Sequence, residues 1–82
     1  MKTIWMQSAG NLFLIQRYDD GSYGVVLDDD FLGFVVRADH DYVAIAGDDG
    51  AVIGDATTLG SAANLLARDL VGHQESLAVR AA

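Results

Sequence analysis

Turn signals punctuate the first two thirds of the chain at intervals of roughly nine to eleven residues. They are Gly10-Asn11, Asp19-Asp20-Gly21, Asp28-Asp29-Asp30, Asp39-His40-Asp41 and Asp48-Asp49-Gly50. The runs between them are rich in Val, Ile, Phe and Tyr, residues that suit a pleated, half-buried surface. Each interval has room for one short strand and a tight turn. The spacing therefore predicts antiparallel hairpins in a meander of five or six short strands, near 3–8, 11–18, 22–28, 31–38, 42–46 and 51–54.

The pattern changes after Asp55. Leu59, Ala62, Ala63, Leu66 and Leu70 recur at helical spacing and mark one face of a helix. Thr57 or Thr58 is placed to cap its first turn, Gly72 to end it in a left-handed residue, and Arg68 to complement its dipole. Small Ala62 and Ala63 allow a close approach to the sheet. Gly60, in the first turn, costs up to ~1 kcal/mol relative to alanine. Segment 73–82 has no long apolar face and reads as a frayed or mobile tail. With no proline and no linker-like stretch, 1–82 reads as one small domain of α+β class. The meander comes first, open or curled, and one C-terminal helix packs on it.

One helix covers one face of such a sheet, yet neither face looks polar. In 22–28, Tyr23, Val25 and Leu27 oppose Gly24 and Val26. In 31–37, Leu32, Phe34 and Val36 oppose Phe31, Gly33 and Val35. In 11–18, Leu12 and Leu14 oppose Phe13 and Ile15. An antiparallel sheet with one wet face should alternate cleanly. The surplus apolar face has three outlets: a curl toward a half-barrel, a second copy of the chain, or a different protein. All the aromatic residues (Trp5, Phe13, Tyr18, Tyr23, Phe31, Phe34 and Tyr42) lie in the sheet half, and aromatics are enriched at interfaces.

Size and charge narrow the options. A chain of 82 residues has a thin margin of stability, and without cysteine it has no disulfide or thiolate-metal staple. The remaining routes are compact packing, an oxygen-ligand metal, or oligomerisation. The formal net charge is -7, from 5 basic and 12 acidic residues. Phosphate binding needs clustered Lys and Arg, and here Lys2, Arg17, Arg37, Arg68 and Arg80 are scattered. Direct nucleic-acid binding is therefore not expected, whereas a basic protein surface would be attracted. Glu75 is the one glutamate among those acids. Aspartate in place of glutamate points to turns and caps, where its short side chain bonds nearby backbone.

Chemical sites are sparse. A calcium-loop template laid from Asp28 finds Asp30 and Gly33 in place and an acid, Asp39, at its last position, but that acid stands where the template has Glu, Leu32 falls at a ligand position, and the flanks are strand-like. His40 lies between two acids at a turn, and the other histidine, His73, is far along the chain. No nucleophile elbow, phosphate-binding loop or dinucleotide fingerprint occurs. No catalytic residue, cofactor or metal is expected. Ile4-Trp5-Met6 is too short for a signal-peptide core, and no apolar run reaches the ~18 residues of a membrane span. A cytoplasmic location is expected, which includes a phage-encoded protein in its host's cytoplasm.

The sequence thus reads as a non-enzymatic acidic module that binds another protein through an apolar sheet face or edge. Its Asp-rich turns would steer a partner with a basic surface, and self-association as a homodimer is the simplest form. The residues expected to carry binding are Trp5, Phe13, Tyr23, Phe31, Asp28, Asp29, Asp30, Asp48 and Asp49. The alternative is a phage-type inhibitor, anti-restriction or anti-CRISPR-like, whose acidic surface occupies a nucleic-acid-binding groove.

Overall fold

A computed structural model describes residues 2–69. Six strands form one antiparallel sheet in sequence order: β1 (Lys2–Ser8), β2 (Asn11–Arg17), β3 (Ser22–Leu27), β4 (Asp30–Ala38), β5 (Asp41–Ala46) and β6 (Val52–Ala56). Helix α1 follows over 59–69 and packs on one face. The meander and its helix match the α+β expectation, and the sheet does not close, so β1 and β6 are its edges. Leu70, the cap residue Gly72 and the tail 73–82 lie outside the described residues.

The turns follow from the residues that make them. Asp28 and Asp29 both have positive φ (52° and 66°) in the two-residue link between β3 and β4. That geometry matches the twist of a hairpin. Asp20 Oδ1 accepts bonds from the Ser22 amide at 2.9 Å and the Ser22 hydroxyl at 2.6 Å. Asp48 Oδ1 accepts from the Asp49 amide at 2.8 Å, and Asp49 Oδ1 from the Ala51 amide at 3.0 Å. These short side chains hold their own turns together, as the bias toward aspartate implies. In α1, Thr58 Oγ1 accepts from the Ser61 amide at 3.2 Å, which makes Thr58 the cap.

The core lies between α1 and one sheet face. Phe13, Ile15, Val25 and Val35 are fully buried there, against Ala62, Ala63, Leu66 and Ala67 of the helix. Each of the larger side chains contributes roughly 1.5–3 kcal/mol by leaving water. The alanines bring the helix backbone close. At the β1 edge, Asn64 Nδ2 donates to Ser8 Oγ at 2.7 Å, and a Cβ on Gly60 would stand 3.1 Å from the same oxygen. At the other edge, a Cβ on Gly54 of β6 would stand 3.4 Å from Leu65 Cδ1. One helix, about 10 Å across, thus touches both edges of a sheet that would span about 24 Å if flat. The sheet curls around the helix, and its other face is convex.

Two register shifts decide what that convex face displays. Between β3 and β4, Val25 pairs with Gly33 but Val26 pairs with Phe31, which leaves Leu32 as an extra residue. Between β5 and β6, Ala44 pairs with Gly54 but Ile45 pairs with Val52, which leaves Ile53 extra. Each bulge turns an additional side chain inward. Leu32 is buried and Ile53 packs on the core, while Phe31 and Val52 stay outside. Strict alternation in β4 placed Leu32 with Phe34 and Val36. The bulge corrects this: Leu32 and Val35 face the helix, and Phe31, Phe34 and Val36 face away.

Candidate functional site: the outer sheet face and its acidic end

Register carries Trp5, Leu12, Leu14, Val26, Phe31, Phe34, Val36, Ile45 and Val52 to the face opposite the helix. Its largest apolar side chains are open to solvent: Val52 is 68% exposed, Trp5 65%, Leu12 54% and Phe31 47%. Tyr18, Phe34 and Phe31 form a row of rings on this face. Tyr18 and Phe34 have ring centroids 6.5 Å apart, and Phe34 and Phe31 meet edge-on at 5.0 Å. Gly24 lies under this row, since a Cβ there would meet the Tyr18 hydroxyl at 2.8 Å. Tyr18 in turn donates to Gln16 Oε1 at 3.2 Å.

The charges divide between the two ends of the strands. The turns at 28–30 and 48–49 lie at one end, and those at 19–20 and 39–41 at the other. Lys2, Arg17 and Arg37 also sit at the second end, where Lys2 pairs with Arg17 and Arg37 pairs with Tyr42. Arg37 stands 5.7 Å over the Tyr42 ring. Among the described residues, no basic side chain lines either recess at the first end, which is the acidic one.

Those recesses combine apolar walls with carboxylates. A trough of about 290 Å³ on the outer face is lined by Trp5, Leu12, Leu14 and Val26, with Asp28 and Asp29 at its lip. A notch of about 320 Å³ between the sheet end and α1 has Phe31, Leu32, Ile53 and Leu66 as its floor and Asp48, Asp49 and Asp69 around it. Both are clefts partly open to solvent. At the far end, a turn holds one of its acids in the ionised form. The Asp20 carboxyl is held below its ordinary value, chiefly by the Ser22 hydroxyl and then by the Ser22 amide.

The expected binding residues therefore separate into groups. The structure brings Trp5, Asp28 and Asp29 together at the trough, and Phe31, Asp48 and Asp49 at the notch. Asp30 is exposed at the start of β4, beside them. Phe13 is fully buried under α1. Tyr23 packs on the helix side, 6.4 Å from Tyr42. Neither contributes to the outer face. Leu12, Leu14 and Val26 join it instead, and cross-strand pairing is their signal: Trp5 opposes Leu14, and Leu14 opposes Val26. Phe34, Val36 and Val52 were concealed by the bulges.

The loop at Asp28 joins two strands, so the helix–loop–helix frame of a calcium site is missing. Among the described residues, no group of His, Asp or Glu side chains is placed to hold a metal ion. No helix among them is long and apolar enough to cross a membrane. No protein-family model, curated protein or solved structure matches the chain.

Proposed function

We propose that this chain is a non-enzymatic protein-binding module whose outer sheet face docks a partner while the acidic end steers the encounter. One observation carries the reading: large exposed apolar side chains recur on one sheet face from β1 to β6, and among the described residues no helix covers them. Isolated exposed apolar residues need no explanation, but patches of several hundred Å² mark interaction sites. Long-range attraction between the Asp-rich turns and a basic surface would raise the association rate, and apolar burial would hold the complex.

The test is affinity capture from the native host with three baits. Wild-type chain is compared with Phe34→Lys, which puts a charge at the centre of the outer face. The control is Arg37→Gln on the helix side. The reading requires a prey that is kept by the control and lost with Phe34→Lys. A prey retained equally by all three baits would sink it.

The inhibitor reading draws on a different observation, the gathering of Asp28, Asp29, Asp30, Asp48 and Asp49 at one end. Carboxylates set there would compete with nucleic acid for a basic groove. The expected result is that excess double-stranded DNA releases the captured prey.

A further inference from the structure

The outer face distributes its groups unevenly along the strands, and that distribution bears on the partner. Leu12, Phe31 and Val52 lie toward the acidic end, while Thr3, Gln16 and Asp55 lie toward the other. Val36 is exposed toward that second end as well, but the most exposed apolar side chains lie beside the turns 28–30 and 48–49. Two copies packed face to face with their strands aligned have two symmetric choices. An axis along the strands through the middle of the sheet joins the apolar halves but stacks the turn 28–30 on its own image, where like charges repel. An axis across the strands separates those turns but lays Val52 over Asp55 and Leu12 over Gln16, burying polar groups against apolar ones. A second copy complements this face poorly in either orientation. A surface both apolar and cationic complements it well.

Among the recesses, the trough fits that description best. Asp20, Asp48 and Asp49 spend a carboxylate oxygen on their own turns. Among the described residues, the Asp28 and Asp29 carboxylates hold no hydrogen bond and remain open to an incoming donor. Trp5, exposed beside them, offers the aromatic face that attracts a cation most strongly. Leu12, Leu14 and Val26 supply the apolar wall.

We infer that the trough seats a cationic amphipathic segment of a different protein. An arginine or lysine lays its stem along Trp5 and Leu14 and brings its charged head to Asp28 and Asp29, while a neighbouring apolar side chain covers Leu12 and Val26. The inference rests on the docking role of the outer face and specifies its partner.

Trp5 is the single tryptophan of the chain, so its emission reports the trough directly. The probes are three synthetic peptides of equal length: alternating leucine and arginine, leucine and serine, and leucine and glutamate. The expected result is a saturable change with the arginine peptide that weakens as salt rises. The double variant Asp28→Asn, Asp29→Gly should bind it roughly three- to tenfold more weakly, the range for partly exposed charge pairs. The glutamate peptide should leave Trp5 unchanged. An equal response to the serine peptide, or an unaltered affinity in the double variant, overturns the cationic partner and leaves face docking standing. Light scattering that shows a dimer with shielded Trp5, dispersed by Phe34→Lys, does the same. No response to any peptide, with capture from the host indifferent to Phe34→Lys, overturns both.

Discussion

Phe31 and Phe34 meet edge-on, with ring centroids 5.0 Å apart and planes at 71°, on one face of one strand. Residues separated by an odd number along a regular strand point to opposite faces. These two share a face because Leu32, between them, has no partner on β3 and turns toward the core. The bulge thus does two things at once. It adds Leu32 to the core and extends the outer aromatic row to the acidic end.

Gly33 makes that bulge possible. Its φ is +154°, and a Cβ would overlap the Ile45 carbonyl oxygen and crowd the Gly47 amide. The Gly33→Ala variant is expected to lose roughly 3 kcal/mol, combining backbone strain with overpacking against a ladder that cannot yield. Urea denaturation checks this, and a loss under about 1 kcal/mol would mean that the bulge relocates. Trp5, on a distant strand, should keep its emission in the folded variant.

The link at Asp28-Asp29 does not carry the residues that such a turn favours most. Two-residue turns with both φ positive prefer Asn-Gly, whereas this one holds two adjacent carboxylates. The Asp28→Asn, Asp29→Gly variant should gain about 0.5–1 kcal/mol, through relief of the left-handed strain. For a chain of this size that raises the melting temperature by several degrees. A stabilised variant with weakened binding of the cationic probe would separate the two roles. A destabilised one would show that the acids are structural.

The pH response of the β2–β3 turn follows from Asp20. Its carboxyl is held low by bonds that only the ionised form accepts fully, the Ser22 hydroxyl first and the amide second. A folded value below the unfolded one means that this contribution is complete above the unfolded value of 3.8. It is lost as pH falls through the lower folded value. NMR titration of the carboxyl carbon should give Asp20 a midpoint below 3.8. In Ser22→Ala, which removes the hydroxyl but keeps the amide, the midpoint should move upward. An unchanged midpoint would show that the hydroxyl bond does not form in solution.

The contact between α1 and the sheet depends on small side chains. Ala62 and Ala63 are fully buried, so a larger residue has nowhere to go. The Ala63→Leu variant should cost about 1–3 kcal/mol, measured by thermal or urea melts. Ala67→Ser, at a site 7% exposed, should cost less than this. A neutral Ala63→Leu would mean that the helix sits farther from the sheet than the structure places it.

The residues made the architecture legible and the site only partly so. Asp-rich turns at regular spacing announced the strands, and the period change at Leu59 announced the helix. Trp5, Phe31 and the acids of 28–30 and 48–49 were legible as binding candidates by type, and their end of the sheet by counting turns. Phe13 and Tyr23 were not separable from Trp5 by type, since all are aromatic residues on neighbouring strands. Only the side that α1 covers distinguishes them.

Local chemistry settled what needs only near neighbours: where the chain turns, because Asp20, Asp48 and Asp49 bond their own backbone, and where it becomes helical, because Leu59, Ala62, Ala63 and Leu66 share a face. Tertiary structure settled everything that depends on a partner strand. The bulges at Leu32 and Ile53 exist only relative to β3 and β5, and each shifts every residue beyond it to the other face. Which apolar face is buried was decided by the helix, whose small residues fit the curled side holding Phe13, Ile15 and Val35. Trp5, Leu12 and Val52 were left on the convex side in water.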